Sequence, residues 1–260
     1  MKRIILIVLV LIIVVGAGVV LAVSMSPTKE LNVTMNESPN KPVILIVIDS
    51  LMNEPLQKAI QENKAPALSF LINNGYLESE VISSYPTMSV TIDSTLLTGT
   101  YANEHKIPGL IWFKEDENRM ISYGSGISEM WHNGIKNVAY DSVIRLNNEH
   151  LSNNVQTMHE QLATHDIQSA SINGLLYRGS VEHHLHVPKL ISTTNLLPKE
   201  IITNGPILLS LGALSQYNPE NDRHKFAWKR MGVNNDFTVA ELQYFIQQRQ
   251  IPPFTLAYLP

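Results

Sequence analysis

The sequence predicts an α/β fold, a mostly parallel sheet with helices on both faces. Three observations carry the prediction. Val43-Ile44-Leu45-Ile46-Val47-Ile48 is an unbroken run of apolar, mostly β-branched residues, the composition of a strand buried on both faces of a parallel sheet. Phe254-Thr255-Leu256-Ala257-Tyr258-Leu259 is a second such run. Between them, helical and strand-like patterns alternate.

The chain begins with Met1-Lys2-Arg3 and an uncharged apolar run, Ile4 to Val23, whose 20 residues match a bilayer core at about 1.5 Å per residue. A cleavable signal has a shorter apolar core of about 7 to 15 residues, which favours an N-terminal signal anchor over residues 1–23. Ala22-Val23-Ser24 nevertheless offers small residues to a signal peptidase. Lys2 and Arg3 hold the short N-terminus inside and send the rest across. The expected location is therefore the cell membrane with the domain outside, or the exterior if the signal is cleaved. Residues 24–41 form a polar linker with Pro27, Pro39 and N-x-S/T sequons at Asn32 and Asn36. Residues 42–260 form the domain.

After the first strand, Pro55 to Glu62 reads as a helix, and Pro66 to Gly75 as another that opens on proline and stops at glycine. Tyr76 to Ser83 alternates as a strand. Val90 to Leu97 reads as a helix despite the β-branched Val90, Thr91, Ile92 and Thr95, so tertiary packing has to hold it. Thr98-Gly99 closes it, and Tyr101 to His105 is a polar loop in which a lone histidine is structural. Glu115-Asp116-Glu117 reads as a solvated turn. Met120 to Tyr123 and Val138 to Tyr140 read as edge or cap strands. Asn154 to Thr164 is a helix and Ile167 to Ile172 a strand. His183-His184-Leu185-His186 places three imidazoles within four residues, a pattern assigned to a flexible loop. Gly205 to Leu214 reads as helical. Asn235 to Gln248 is a longer helix with Glu241 on its polar side.

Composition narrows the chemistry. There is no cysteine, which excludes disulfides, thiolate zinc sites and a cysteine nucleophile. Any metal must be held by Asp, Glu, His or hydroxyl oxygen. With a net charge of −4 and no basic stripe, nucleic-acid binding is not expected.

Two residues stand where chemistry is expected. Asp49 ends the first strand, and in open α/β sheets ligands gather beyond the carboxyl ends of strands; a turn or helix-capping aspartate is the alternative. Ser89 opens the helix after Tyr85-Pro86-Thr87-Met88. There, unpaired backbone N–H groups and the positive dipole end stabilise an alkoxide and attract a phosphate. The plain alternative is that Ser89 is an N-cap.

The run Val43 to Asp49, then Ala65-Pro66-Ala67-Leu68 with Leu71 and Gly75, Tyr85-Pro86-Thr87-Met88-Ser89, and Leu97-Thr98-Gly99-Thr100-Tyr101 with Glu104-His105 and Ile107, resembles the alkaline phosphatase superfamily. The likeness is to its type I phosphodiesterase/nucleotide pyrophosphatase branch. Family nucleophiles lie nine residues before the Thr of the Thr-Gly pair, which selects Ser89 over its rival Thr87. The resemblance implies an extracytoplasmic, metal-dependent hydrolase of small phosphate mono- or diesters that works through a phosphoseryl intermediate. It implies two divalent ions, zinc above all, with Asp49 and Ser89 ligating one of them. The family's later ligands are an Asp-x-x-x-His pair, an Asp-His pair and a final His. None of the seven aspartates has a histidine at either spacing, and Asp222-x-His224 has another. Residues 42–260 thus resemble the first two thirds of a family domain, with the C-terminal part missing, and little turnover is expected of these residues alone. A membrane-anchored binding protein or gene fragment without turnover is the competing expectation. A sulfatase is disfavoured, because the Cys or Ser-x-Pro-x-Arg signature is absent. Leu110 stands where the branch usually carries a phosphate-binding Asn, and the cap region between Trp112 and Leu151 is expected to select the substrate.

Overall fold

The computed structural model describes residues 28–31, 33–35, 41–124, 126–223 and 234–260. The expected anchor over residues 1–23 lies outside them, and among the described residues no helix is long and apolar enough to cross a membrane. Within the segment read as a linker, Leu31, Val33 and Met35 pack against the domain core.

Strand β1 is Val43–Ile48. Helices α1, Asn53–Gln61, and α2, Pro66–Asn74, follow. Proline opens α2, and Gly75 is required after it because a Cβ there would lie 2.9 Å from the Leu71 carbonyl oxygen. Next come α3, Ser89–Thr98, and the short α4, Ala102–His105. Strands β2, Ile111–Lys114, and β3, Arg119–Ser122, form an antiparallel hairpin. Helices α5, Ile127–Asn133, and α6, Ile135–Tyr140, lead into a π-helix over Asp141–His150. Helix α7, Met158–Ala163, starts on a capping box formed by Thr157 and Glu160, and β4, Ser169–Ile172, follows it. Strand β5, Val181–His186, pairs antiparallel with β6, Glu200–Gly205, across α8, Lys189–Thr193. Strand β7, Leu208–Ser210, two 3-10 helices at Gly212–Leu214 and Pro219–Arg223, helix α9, Asn235–Gln247, and β8, Phe254–Leu259, complete the described elements.

The main sheet has the order β1-β8-β4-β7, with every pair parallel. Side chains alternate across β8, and the two faces carry separate cores. Phe254 and Leu256 pack with Val90 and Leu97 of α3, and Ala257 packs with Phe245 of α9. Helices therefore cover both faces. The β-branched α3 is held as its sequence requires: Val90, Thr91, Ser94, Leu97 and Thr98 are buried, and Gly99 stops the helix at φ 67°. Two of its hydroxyls fold back on the helix, Ser94 Oγ donating to the Val90 carbonyl and Thr98 Oγ1 to the Ser94 carbonyl, each at 2.6 Å.

Several expectations are corrected. Strand β1 is not buried on both faces: it borders the sheet with β8 as its one partner among the described residues, and Val43 and Ile46 are exposed. Residues 76–83 form no strand, since alternation without a partner ladder leaves the backbone unpaired, and Val81 and Ile82 lie in solvent. Residues 208–210 form β7 instead of a helix, because Leu208 and Leu209 complete the buried parallel sheet; short apolar runs do not distinguish the two by period. Val138–Tyr140 belongs to α6, whereas Met120 does lie in β3. Tyr101–His105 includes the one-turn α4, and His105 is fully buried inside it. The histidine tract is strand β5, with His183 turned inward onto the Pro206 carbonyl at 2.7 Å. Glu241 is fully buried and accepts from Ser210 Oγ, the Tyr217 and Asn218 amides and Asn221 Nδ2. Glu117, read as solvated, is tied to Arg119 and Lys114.

Candidate active site

The parallel register brings Asp49 and Tyr258 together at the carboxyl end of the sheet. Asp49 directly follows β1, and its amide donates to the Leu259 carbonyl at 2.9 Å, which carries the β1–β8 ladder one residue past the strand. Val47 is the register partner of Tyr258, so the Tyr258 side chain stands beside the end of β1. Its hydroxyl donates to Asp49 Oδ2 at 2.9 Å. Tyr258 is itself anchored from behind, because Thr238 Oγ1 of α9 donates to its carbonyl at 2.7 Å.

Ser89 arrives from the opposite direction, on the first residue of α3. The turn before it contains a cis Tyr85–Pro86 bond, and the Met88 amide donates to the Pro86 carbonyl at 2.9 Å. Met88, in extended conformation, is the N-cap and makes no side-chain cap hydrogen bond. Ser89 therefore lies inside the helix and is not its cap. Its hydroxyl is directed to Asp49, with Oγ 3.2 Å from Oδ1 and 3.2 Å from Oδ2. Ser50 Oγ makes a longer contact of 3.4 Å with Oδ1. Thr87 is exposed on the turn. Of the two hydroxyls considered as nucleophile, it is Ser89 that meets the aspartate.

Asp93 sits one helical turn beyond Ser89 and is buried. Desolvation, and after it the negative charge of Asp49, pushes its carboxyl up to about 7. Burial and the bond to Asp49 raise the Tyr258 hydroxyl, which keeps it a proton donor to the carboxylate. Asp93 and Tyr258 were not singled out from the sequence. The signal for Asp93 was its i+4 spacing from Ser89, which puts both on one stripe of the helix. For Tyr258 there was no local signal, since its place depends on which strand pairs with β1. His105 buttresses α3: its Nε2 lies 3.2 Å from Thr95 Oγ1, and its Nδ1 accepts from the Ile107 amide at 3.1 Å.

Asp49 and Ser89 bring one carboxylate and one hydroxyl together at the end of the sheet. The Asp49 carboxylate is exposed and met by hydroxyl donors, and among the described residues no lysine or arginine pairs with it. A carboxylate and a hydroxyl suit a divalent cation, but a catalytic zinc takes three protein ligands. The set is complete neither for one zinc ion nor for two. Among the described residues, one group of three acidic or histidine side chains brings its ligand atoms together, and it lies elsewhere: Glu117, Glu149 and His150.

A model of the type I phosphodiesterase/nucleotide pyrophosphatase family matches residues 43–240. The chain belongs to this family. The matched span runs from β1 into α9 and contains both Asp49 and Ser89. No curated protein matches the chain in sequence. Among solved structures, murine ectonucleotide pyrophosphatase/phosphodiesterase 5 is similar, with a TM-score of 0.50 at 14% identity. The likeness covers 84% of this chain and 43% of that one, so the chain spans under half of that protein's length. At such identity the likeness establishes the fold alone. The alkaline phosphatase-like α/β fold expected from the residues is therefore the fold observed.

Proposed function

We propose that the protein hydrolyses small phosphate esters, with phosphodiesters and pyrophosphates of the nucleotide type foremost, through a covalent intermediate on Ser89. The observation that carries the reading is the hydrogen bond of Ser89 to both Asp49 oxygens at the amino end of α3. By donating to Asp49, Ser89 Oγ keeps a lone pair facing away from the carboxylate. The helix end favours negative charge on Oγ and on the phosphoryl oxygens. In the first half-reaction the Oγ–P bond forms as the ester P–O bond breaks in line, and the departing oxygen takes a proton. In the second, water forms a new P–O bond, the Oγ–P bond breaks, and Ser89 regains its proton.

Asp49 and Ser89 would hold one divalent ion, with zinc the choice the family resemblance favours. Bound there, it would acidify the serine and neutralise phosphoryl charge. Tyr258 positions Asp49, and buried Asp93 lies behind the pair. The apolar run over residues 4–23 supports a membrane-anchored or secreted setting with the domain outside the cytoplasm. A second reading, binding of phosphate esters without turnover, is favoured by the two-ligand metal edge.

Acid-quenched protein incubated with zinc and a phosphodiester tests the proposal by mass spectrometry of the proteolytic peptides. The transferred phosphoryl group is expected on Ser89. A label on Thr87, or hydrolysis without a label on Ser89, rejects the mechanism; substrate binding without hydrolysis or label favours the second reading.

A further inference from the structure

The turn between β2 and β3 and the carboxyl end of the π-helix meet around a buried imidazole. His150, the last π-helical residue, is 97% buried (relative exposure 3%), and its Nε2 has no hydrogen-bond partner. That atom faces Glu117 Oε1 across 3.5 Å. Glu149 completes the group, and the three ligand atoms lie within 4.8 Å of one another. We propose that Glu117, Glu149 and His150 form a second, non-catalytic site for a first-row divalent cation of the zinc class, which clamps the hairpin to the π-helix.

The surrounding groups are arranged for this. His150 Nδ1 lies 2.9 Å from the Tyr123 hydroxyl. With the ring proton on Nδ1 and donated to the tyrosine oxygen, Nε2 presents its lone pair to the cluster, as the outer partner of a metal-bound histidine does. Burial lowers the imidazole's pKa and favours the neutral form that can ligate. Arg119 binds Glu117 through Oε2, at 2.7 Å from Nε, which orients the carboxylate and leaves Oε1 toward His150. A tetrahedral ion with bonds of about 2.0–2.1 Å separates its ligand atoms by about 3.4 Å, close to the 3.5 Å observed between Nε2 and Oε1.

Three cations border the site, and each has another carboxylate. Lys114 lies 3.2 Å from Glu117 Oε1 but 2.6 Å from Asp116. Arg145 lies 3.5 Å from Glu149 but 2.9 Å from Asp141. Arg119 keeps Asp141 at 2.7 Å. A divalent ion can therefore displace the two weaker contacts without stranding a charge. The mixed imidazole and carboxylate set selects zinc or its neighbours over magnesium or calcium, whose ligands are oxygen. The π-helix supplies two of the three ligands, Glu149 and His150, from its last turn, where the exposed carbonyls also favour a cation.

The test titrates the chelator-stripped whole protein with Zn²⁺ and follows heat and the His150 ring resonances by NMR, with Mg²⁺ as control. Zinc is expected to shift the His150 resonances and raise the melting temperature, and Mg²⁺ to do neither. Glu149→Gln changes an exposed side chain and should fold normally. It is expected to weaken this binding at least about tenfold, with Glu117→Gln acting alike and Asp49→Asn leaving it unchanged. His150 resonances unmoved by zinc, or zinc binding that survives Glu149→Gln and Glu117→Gln but is lost in Asp49→Asn, would overturn the proposal.

Discussion

Ser89 Oγ lies 3.2 Å from each oxygen of Asp49, a residue 40 positions earlier in the chain. The contact unites the end of a strand with the start of a helix. Asp49→Asn replaces one accepting oxygen by a donating NH₂, which cannot hold the serine hydrogen. We predict that ester hydrolysis falls at least about a hundredfold, in the range for loss of an electrostatic partner, while the melting temperature changes little because Asp49 is exposed. Parallel kinetics and thermal melts check both parts.

Tyr258 acts on the reaction through Asp49. Removing its hydroxyl in Tyr258→Phe keeps the buried ring and deletes the 2.9 Å bond to the carboxylate. A hydrogen bond to a charged group contributes about 1.5–3 kcal/mol, so kcat/KM should fall about tenfold or more. An unchanged kcat/KM would show that Asp49 is positioned by Ser89 and the backbone alone.

Glu241 ties α9 to the loops after β7. Burial pushes its carboxyl up, and four donors, the Tyr217 and Asn218 amides, Asn221 Nδ2 and Ser210 Oγ, pull it back. Glu241→Ala leaves these donors unanswered. We expect a loss of about 3–5 kcal/mol in urea unfolding, and a smaller loss for Glu241→Gln, which keeps an accepting oxygen.

His159 predicts an acid-sensitive core. It is 1% exposed, packs on Phe254 and has Nδ1 3.0 Å from Ser169 Oγ. Burial lowers its pKa from 6.5 to about 4. Between those values the unfolded chain binds the proton and the folded one does not, so the contribution is full above pH 6.5 and is lost as pH falls toward 4. At 1.4 kcal/mol per pH unit this amounts to about 3 kcal/mol. Unfolding measured from pH 7 to 4 should show this slope in the native chain and a shallower one in His159→Gln.

The parts of the site legible in sequence were those set by local rules. Strands β1 and β8 announced themselves as apolar runs, and α3 by its hydroxyl start and its Gly99 stop. The failures lie where partners decide. Residues 76–83 alternate like a strand but find no ladder. Residues 208–210 read as helix because apolarity without period is ambiguous, and their place in the sheet depends on β4. His183–His186 looked like a loop because a polar strand with one inward histidine mimics an unstructured tract. Helical spacing puts Glu241 on the polar side of α9, and four distant donors make it a buried anchor. Tyr258 and Asp93 gained meaning only once β8 lay beside β1 and α3 lay over the sheet.

The central claim, that Ser89 carries the reaction, is tested most directly by hydrolysis of a nitrophenyl phosphodiester with added zinc or manganese in wild-type, Ser89→Ala and Thr87→Ala proteins. The account predicts metal-dependent turnover, slow because Asp49 and Ser89 alone would hold the ion, that drops to background in Ser89→Ala and stays within a few-fold of wild type in Thr87→Ala. Turnover that survives Ser89→Ala, or is abolished by Thr87→Ala, would contradict it.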